Sequence, residues 1–181
     1  MVMLTALPAM MATLLFSYLF IAAGYQKLSH IDYFRHVLRS YQVVPGSWTA
    51  LLARVLPVLE LCAGLALLIP AAHDPALMLL TGLLVIYSAA ITVNIARGRL
   101  DIDCGCAGPG QEQGISAWLI GRNAVLLSLA VLAHSTPQPE TIGAMGWGVG
   151  FLGAVLAALI YHASNQLIAN HALLKRIAHH G

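Results

Sequence analysis

Leu4 to Gly24 carries no charged residue, and neither does Ala76 to Ala96 or Thr141 to Ala163. A hydrocarbon core about 30 Å thick is crossed by roughly 20 apolar residues rising 1.5 Å each, so each of these stretches can span a bilayer. Two more, Trp48 to Pro70 and Ile115 to His134, have the length but contain internal charge. Composition agrees: 9% of the residues are charged and 59% hydrophobic, whereas soluble domains carry about 25% charged residues. A soluble fold could not hide that much apolar surface without exposing patches that aggregate. The expected fold class is therefore all-α, a polytopic membrane helical bundle of four to five transmembrane helices over residues 1–163, followed by an interfacial tail, 164–181. The formal net charge of +2 with dispersed basic residues excludes a nucleic-acid partner on charge pattern.

The first span lacks a basic stretch ahead of it and flows into a patterned helix without a cleavage site, so it reads as a retained span and not as a signal peptide. The fifth carries Gly143, Gly146, Gly148, Gly150 and Gly153. Glycine lowers helix propensity, yet in a membrane small residues also let helices approach closely.

After the first span, Ser29-His30-Ile31-Asp32 matches a capping box. The helix it would open places Ile31, Phe34, Val37, Leu38 and Tyr41 on one face and Asp32, Arg35, His36 and Arg39 on the other, ending before Pro45. That period predicts an amphipathic helix lying in the interface or capping the bundle mouth. Asn170 to His180 has a similar pattern. Its histidines lack a compact chelating spacing, so a solvated interfacial helix is expected.

The segment from Arg97 to Gly114 is punctuated by Gly and Pro and holds two of the three cysteines, Cys104 and Cys106, with Gly105 between them. Glycine permits the backbone angles that closing so small a ring requires. A tight disulfide departs from relaxed geometry and is more readily reduced, which suits exchange better than stapling. A helix starting near Ser116 would favour thiolate through its positive end, while Asp101 and Asp103 oppose it. Three other readings compete: inert packed cysteines, a Cu(I) site drawing on Cys104, Cys106, Cys62 or methionine, and a structural disulfide, which would close too short a loop to stabilise much.

Glu60 lies inside the second span and Arg122, beside Asn123, inside the fourth. Ionisable groups there are costly and face a partner, a cavity or the bundle interior. Candidate partners for Glu60 are Arg54, Lys27 and Arg122, and the plain reading is a pair that fixes helix register. Cys62, two residues on, is expected to be a small core residue. With five spans, all nine Lys and Arg residues fall at the end of the bundle that carries the cysteine loop, whereas Asp74 and Glu140 lie opposite. The positive-inside rule then puts that loop in the cytoplasm, where thiols are kept reduced.

Phe20-Ile21-Ala22-Ala23-Gly24 with Lys27-Leu28, then Phe34, Leu38, Tyr41 and Pro45, then Leu56-Pro57-Val58-Leu59-Glu60 with Gly64, resembles the DoxX-like membrane family. Asp103-Cys104-Gly105-Cys106-Ala107-Gly108 followed by Gly121-Arg122-Asn123-Ala124-Val125 resembles its methylamine-utilisation branch, the MauE family. The resemblance covers roughly residues 12 to 130. It implies a bacterial inner-membrane protein that helps mature the small, disulfide-rich subunit of a periplasmic quinoprotein methylamine dehydrogenase. A thioredoxin-like, membrane-anchored partner, MauD, would act with it. On this resemblance Cys104 and Cys106 are the catalytic redox pair, and Glu60, Arg122 and Asn123 are matching positions of supporting character. The layout is also similar to quinone-linked disulfide-forming enzymes, which keep their cysteines on the outer face and imply a quinone as cofactor. A non-catalytic scaffold for the partner and a Cu(I)-binding membrane protein are the alternatives of a different class.

Overall fold

The computed structural model describes residues 2–105, 114–135 and 144–180, and the side chains of all of these except 2–6, 144–145, 169 and 171–180. Within them the chain forms α1 (Val2–Ser29), α2 (Ile31–Tyr41), α3 (Thr49–Ala66), α4 (His73–Ala96), α5 (Ala117–Ser135) and α6 (Ala144–His180), with a 3-10 turn at Pro70–Ala72 leading into α4. Five segments are long and apolar enough to cross a membrane: Leu7–Ser29, Thr49–Ala66, Pro70–Ala96, Ala117–Ser135 and Gly146–Ile168. The protein is an all-α, multi-pass bundle with an amphipathic helix after the first span, as its apolar runs require.

Half of the first span is buried within the protein against 11% of the last, so α1 is the hub and α6 the periphery. Phe16 and Phe20 of α1 stack with ring centroids 5.9 Å apart. Around them pack Ala63 and Leu67, Leu77, Leu80 and Leu84 of α4, and Leu126 and Ala130 of α5. Lipid tails are as apolar as these side chains, so shape and interhelical hydrogen bonds hold the helices together more than burial does. The α1–α3 contact shows both. Ser17 Oγ donates to the Gly64 carbonyl at 2.8 Å, and a Cβ placed on Gly24 would stand 2.7 Å from the Pro57 carbonyl oxygen.

Several sequence expectations change here. Ser29 does not cap α2. It is the last residue of α1, so its backbone is already helical, and the two helices are separated by His30 alone, with no side-chain cap. The second span ends at Ala66 and not at Pro70, because the chain turns before the proline. The glycine-rich fifth span is helical from Ala144, and Gly150 and Gly153 receive the tips of Met10 and Met11 of α1. Residues 164–180, expected as a separate interfacial tail, continue α6 without a break. The start of the fifth span at 141–143 lies outside the described residues.

Candidate functional site

The apolar face of α2 is buried at Phe34, Val37 and Tyr41 while Asp32, His36 and Arg39 are exposed, so the helix lies across the mouth of the bundle. Beneath it runs the cysteine loop. The loop's ends are joined by an antiparallel bridge, Asp103 to Gly114, and the Ile115 N–H donates to the Ile102 carbonyl at 2.9 Å. Between them, residues 106–113 lie outside the described residues, Cys106 among them.

Cys104 is held from several sides. The Asp103 carboxylate accepts the Gly105 N–H at 2.7 Å and the Tyr33 hydroxyl of α2, also at 2.7 Å. Tyr41 Oη donates to the Cys104 carbonyl at 3.3 Å. Gly105 has φ +70°, a left-handed conformation that a side chain disfavours, and a Cβ there would stand 3.0 Å from Val37. Glycine is thus required twice over, by the turn and by the approach to α2. Cys104 itself is 8% exposed, packed with Val37, Tyr41, Ile91, Ile115 and Leu119. Docking under α2 buries Cys104 although the loop around it is polar and rich in glycine. Arg97 and Arg99, just past α4, donate to the Gln42 and Ser40 carbonyls at 3.3 and 3.4 Å. They pin the C-terminal end of α2, where carbonyls are left over and the helix dipole favours positive charge.

A second polar cluster sits deeper. Lys27 Nζ donates to Glu60 Oε1 at 2.5 Å, and Tyr87 Oη donates to the same oxygen. The pair is 9% and 0% exposed, and Lys27 also lies over the Phe34 and Tyr87 rings, 5.1 and 4.7 Å from their centroids. Of the three cations weighed for Glu60, the bundle selects Lys27. Arg54 is exposed, and Arg122 reaches Asn123 and Asn165 and lies 5.5 Å from the Tyr161 ring centroid. Asn123 donates to Ser88 Oγ at 3.0 Å. Arg122 and Asn123 therefore join α4, α5 and α6, and are not brought into the Lys27–Glu60 cluster. Cys62 was expected in the core but is exposed on α3. Two residues advance a helix by about 200°, so an inward Glu60 turns Cys62 outward. Among the described residues no group of three or more His, Cys, Asp or Glu side chains is placed to hold a metal ion.

Tyr33, Tyr41 and Tyr87 complete both clusters. Tyr41 was legible as part of the apolar stripe of α2. Tyr87 gave no signal, since it sits in an uninterrupted apolar span, and Asp103 stood out only as a charge beside the thiols.

Residues 4–136 match the family described as methylamine utilisation protein MauE. The chain is 37% identical to the methylamine utilization protein MauE of Paracoccus denitrificans over 151 residues, covering 82% of this chain and 81% of that protein. The MauE proteins of Paracoccus versutus and Methylorubrum extorquens are 36% and 35% identical, covering 82% and 81% of this chain and 81% and 79% of theirs. No solved structure matches. A profile spanning α1 through α5, with relatives of this identity along most of the chain, places this multi-pass membrane protein in the MauE family.

Proposed function

We propose that this chain works in methylamine utilisation as an inner-membrane thiol–disulfide relay. Cys104 and Cys106 exchange with a thioredoxin-like, membrane-anchored partner of the MauD kind. That partner then acts on the disulfide-rich small subunit of a periplasmic amine dehydrogenase. A partner thiolate attacks one sulfur of the Cys104–Cys106 disulfide, the S–S bond breaks, and the other sulfur leaves as thiolate. The partner's second thiol loses its proton and closes the partner's disulfide, releasing the second cysteine. Two electrons have then passed to the pair, whose two thiolates take up the two protons that the partner's thiols lost on ionising, and a quinone dissolved in the bilayer is the class of acceptor that takes two electrons with two protons.

The observation that carries this reading is the held turn at Cys104. Asp103, Tyr33 and Tyr41 fix its backbone, and Gly105 takes the left-handed angle on the way to a second cysteine one residue further along. Cys104→Ser and Cys106→Ser are each expected to abolish client maturation while the protein still accumulates in the membrane. Normal maturation in both single variants would sink the relay. It would favour a scaffold that positions the partner, a reading to which the burial of Cys104 under α2 is equally suited.

Sidedness is a separate question, since positive-inside reasoning puts the loop in the cytoplasm and the periplasmic client calls for the outer face. In intact cells, a membrane-impermeant maleimide is expected to label the pair only after mild reduction. Labelling that requires breaching the membrane would place the pair at the cytoplasmic end and demand an electron path from that side.

A further inference from the structure

We infer that Lys27, held by Glu60 and Tyr87, tunes the oxidising power of the Cys104–Cys106 pair by presenting a fixed positive charge to the loop. The inference rests on the relay reading and deepens it. Lys27 is a positioning residue that acts through space.

Both donors of the buried cluster, Lys27 and Tyr87, converge on Glu60 Oε1, and Oε2 is buried with no hydrogen-bond partner among the described residues. A pair that served only to lock helices would gain from satisfying both oxygens, because a buried unsatisfied acceptor costs stability. The arrangement is one-sided, and its ammonium end shares a crevice with Gly105, the residue that follows Cys104. Gln26, Lys27, His30, Tyr33, Phe34 and Gly105 line one small crevice, to which Glu60 does not contribute. Its volume is about 10 Å³, room for about one water and far too little for an organic ligand. Phe34 forms the shared wall. Its ring lies 5.1 Å from the Lys27 ammonium, and a Cβ on Gly105 would come within 3.7 Å of its edge.

Charge in such a place is weakly screened. Glu60 cancels part of the field of Lys27, and Asp103 opposes it, though its carboxylate is engaged by the Gly105 N–H and the Tyr33 hydroxyl. His30 and Tyr33 are the other titratable groups on the crevice wall. The net expectation is a modest preference for the reduced loop, whose sulfurs leave as thiolates during exchange. Stabilising that form makes a disulfide a stronger oxidant.

The test is a redox titration of the purified full-length protein in nanodiscs, equilibrated with glutathione buffers and read by maleimide mass shift. Removing both charges together leaves neither orphaned. Lys27→Gln with Glu60→Gln keeps the hydrogen bond, and Lys27→Met with Glu60→Leu replaces the pair with apolar groups, so either can be read if the other fails to fold. In a folded double variant the equilibrium should move toward disulfide by about threefold to tenfold, tenfold being about 30 mV for a two-electron couple. Lys27→Arg, which keeps the charge, should stay within about twofold of the parent. A folded double variant that still forms the disulfide and titrates like the parent overturns the role of Lys27 and leaves the relay standing. A parent protein that forms no Cys104–Cys106 disulfide in any buffer overturns the relay, and this inference with it.

Discussion

Glu60→Leu is expected to leave little folded protein in the membrane, and adding Lys27→Met to the same chain is expected to restore it. Leucine fills much of the space of glutamate but leaves the Lys27 ammonium, 9% exposed, without its carboxylate. Breaking a buried pair from one side costs about 3–5 kcal/mol, whereas replacing both partners with apolar groups is often neutral. Native proteins hold about 5–15 kcal/mol in all, so the single change removes a large share of it. The hydrogen bond from Tyr87 to Glu60 would be lost as well. The measurement is the monodisperse fraction extracted in mild detergent and its thermal midpoint. A single variant as stable as the parent would mean that the pair lends the bundle no support.

Gly24→Ala should be the most damaging small substitution in α1. The added Cβ would meet the Pro57 carbonyl oxygen at 2.7 Å and the Leu61 nitrogen at 3.0 Å. Both are backbone atoms of α3, so no rotamer change relieves the clash and the helices must separate. Overpacking of this kind costs about 1–3 kcal/mol and sometimes more. Gly150→Ala meets a shorter nominal distance, 1.8 Å, but to the terminal methyl of Met10, which can swing aside. Its loss should be smaller. Gly82→Ala meets nothing within 4 Å and should be neutral or stabilising by up to about 1 kcal/mol through helix propensity. Thermal midpoints ranked Gly24→Ala lowest, Gly150→Ala next and Gly82→Ala highest would bear this out. A Gly24→Ala protein as stable as Gly82→Ala would refute the close α1–α3 contact.

The membrane spans and α2 could be read from the sequence because each depends on a local property: run length for the spans, a 3.6-residue stripe for α2. Lys27 could be named as a partner for Glu60 but not chosen over Arg54 and Arg122, since the choice depends on which helix faces meet. The capping box at Ser29 misled for a related reason. A four-residue motif cannot tell whether the preceding helix has already claimed its first residue. Tyr87 was silent because a tyrosine in an apolar span is ordinary until a carboxylate lies opposite. The burial of Cys104 was the least legible feature, since it follows from docking the loop on Phe34 and Val37, about seventy residues earlier. Gly105 supplied half of that answer, in its need for an unusual backbone angle. The other half, its lack of a side chain to hold α2 away, is visible only once the two segments lie together.

The cover that α2 makes over Cys104 has a kinetic consequence. With Cys104 8% exposed as a residue, parting of the Tyr33–Asp103 and Tyr41–Cys104 contacts is the expected route to its sulfur. No attacking reagent can react with it faster than that opening occurs. As reagent concentration rises, the observed rate should therefore climb and then level off at the opening rate, the same plateau for a strong nucleophile as for a weak one. A protein that grips the charged outer face of α2 could raise that ceiling by lifting the helix, without contributing to the chemistry at sulfur. Selectivity among thiols would then be decided by who can open the cover.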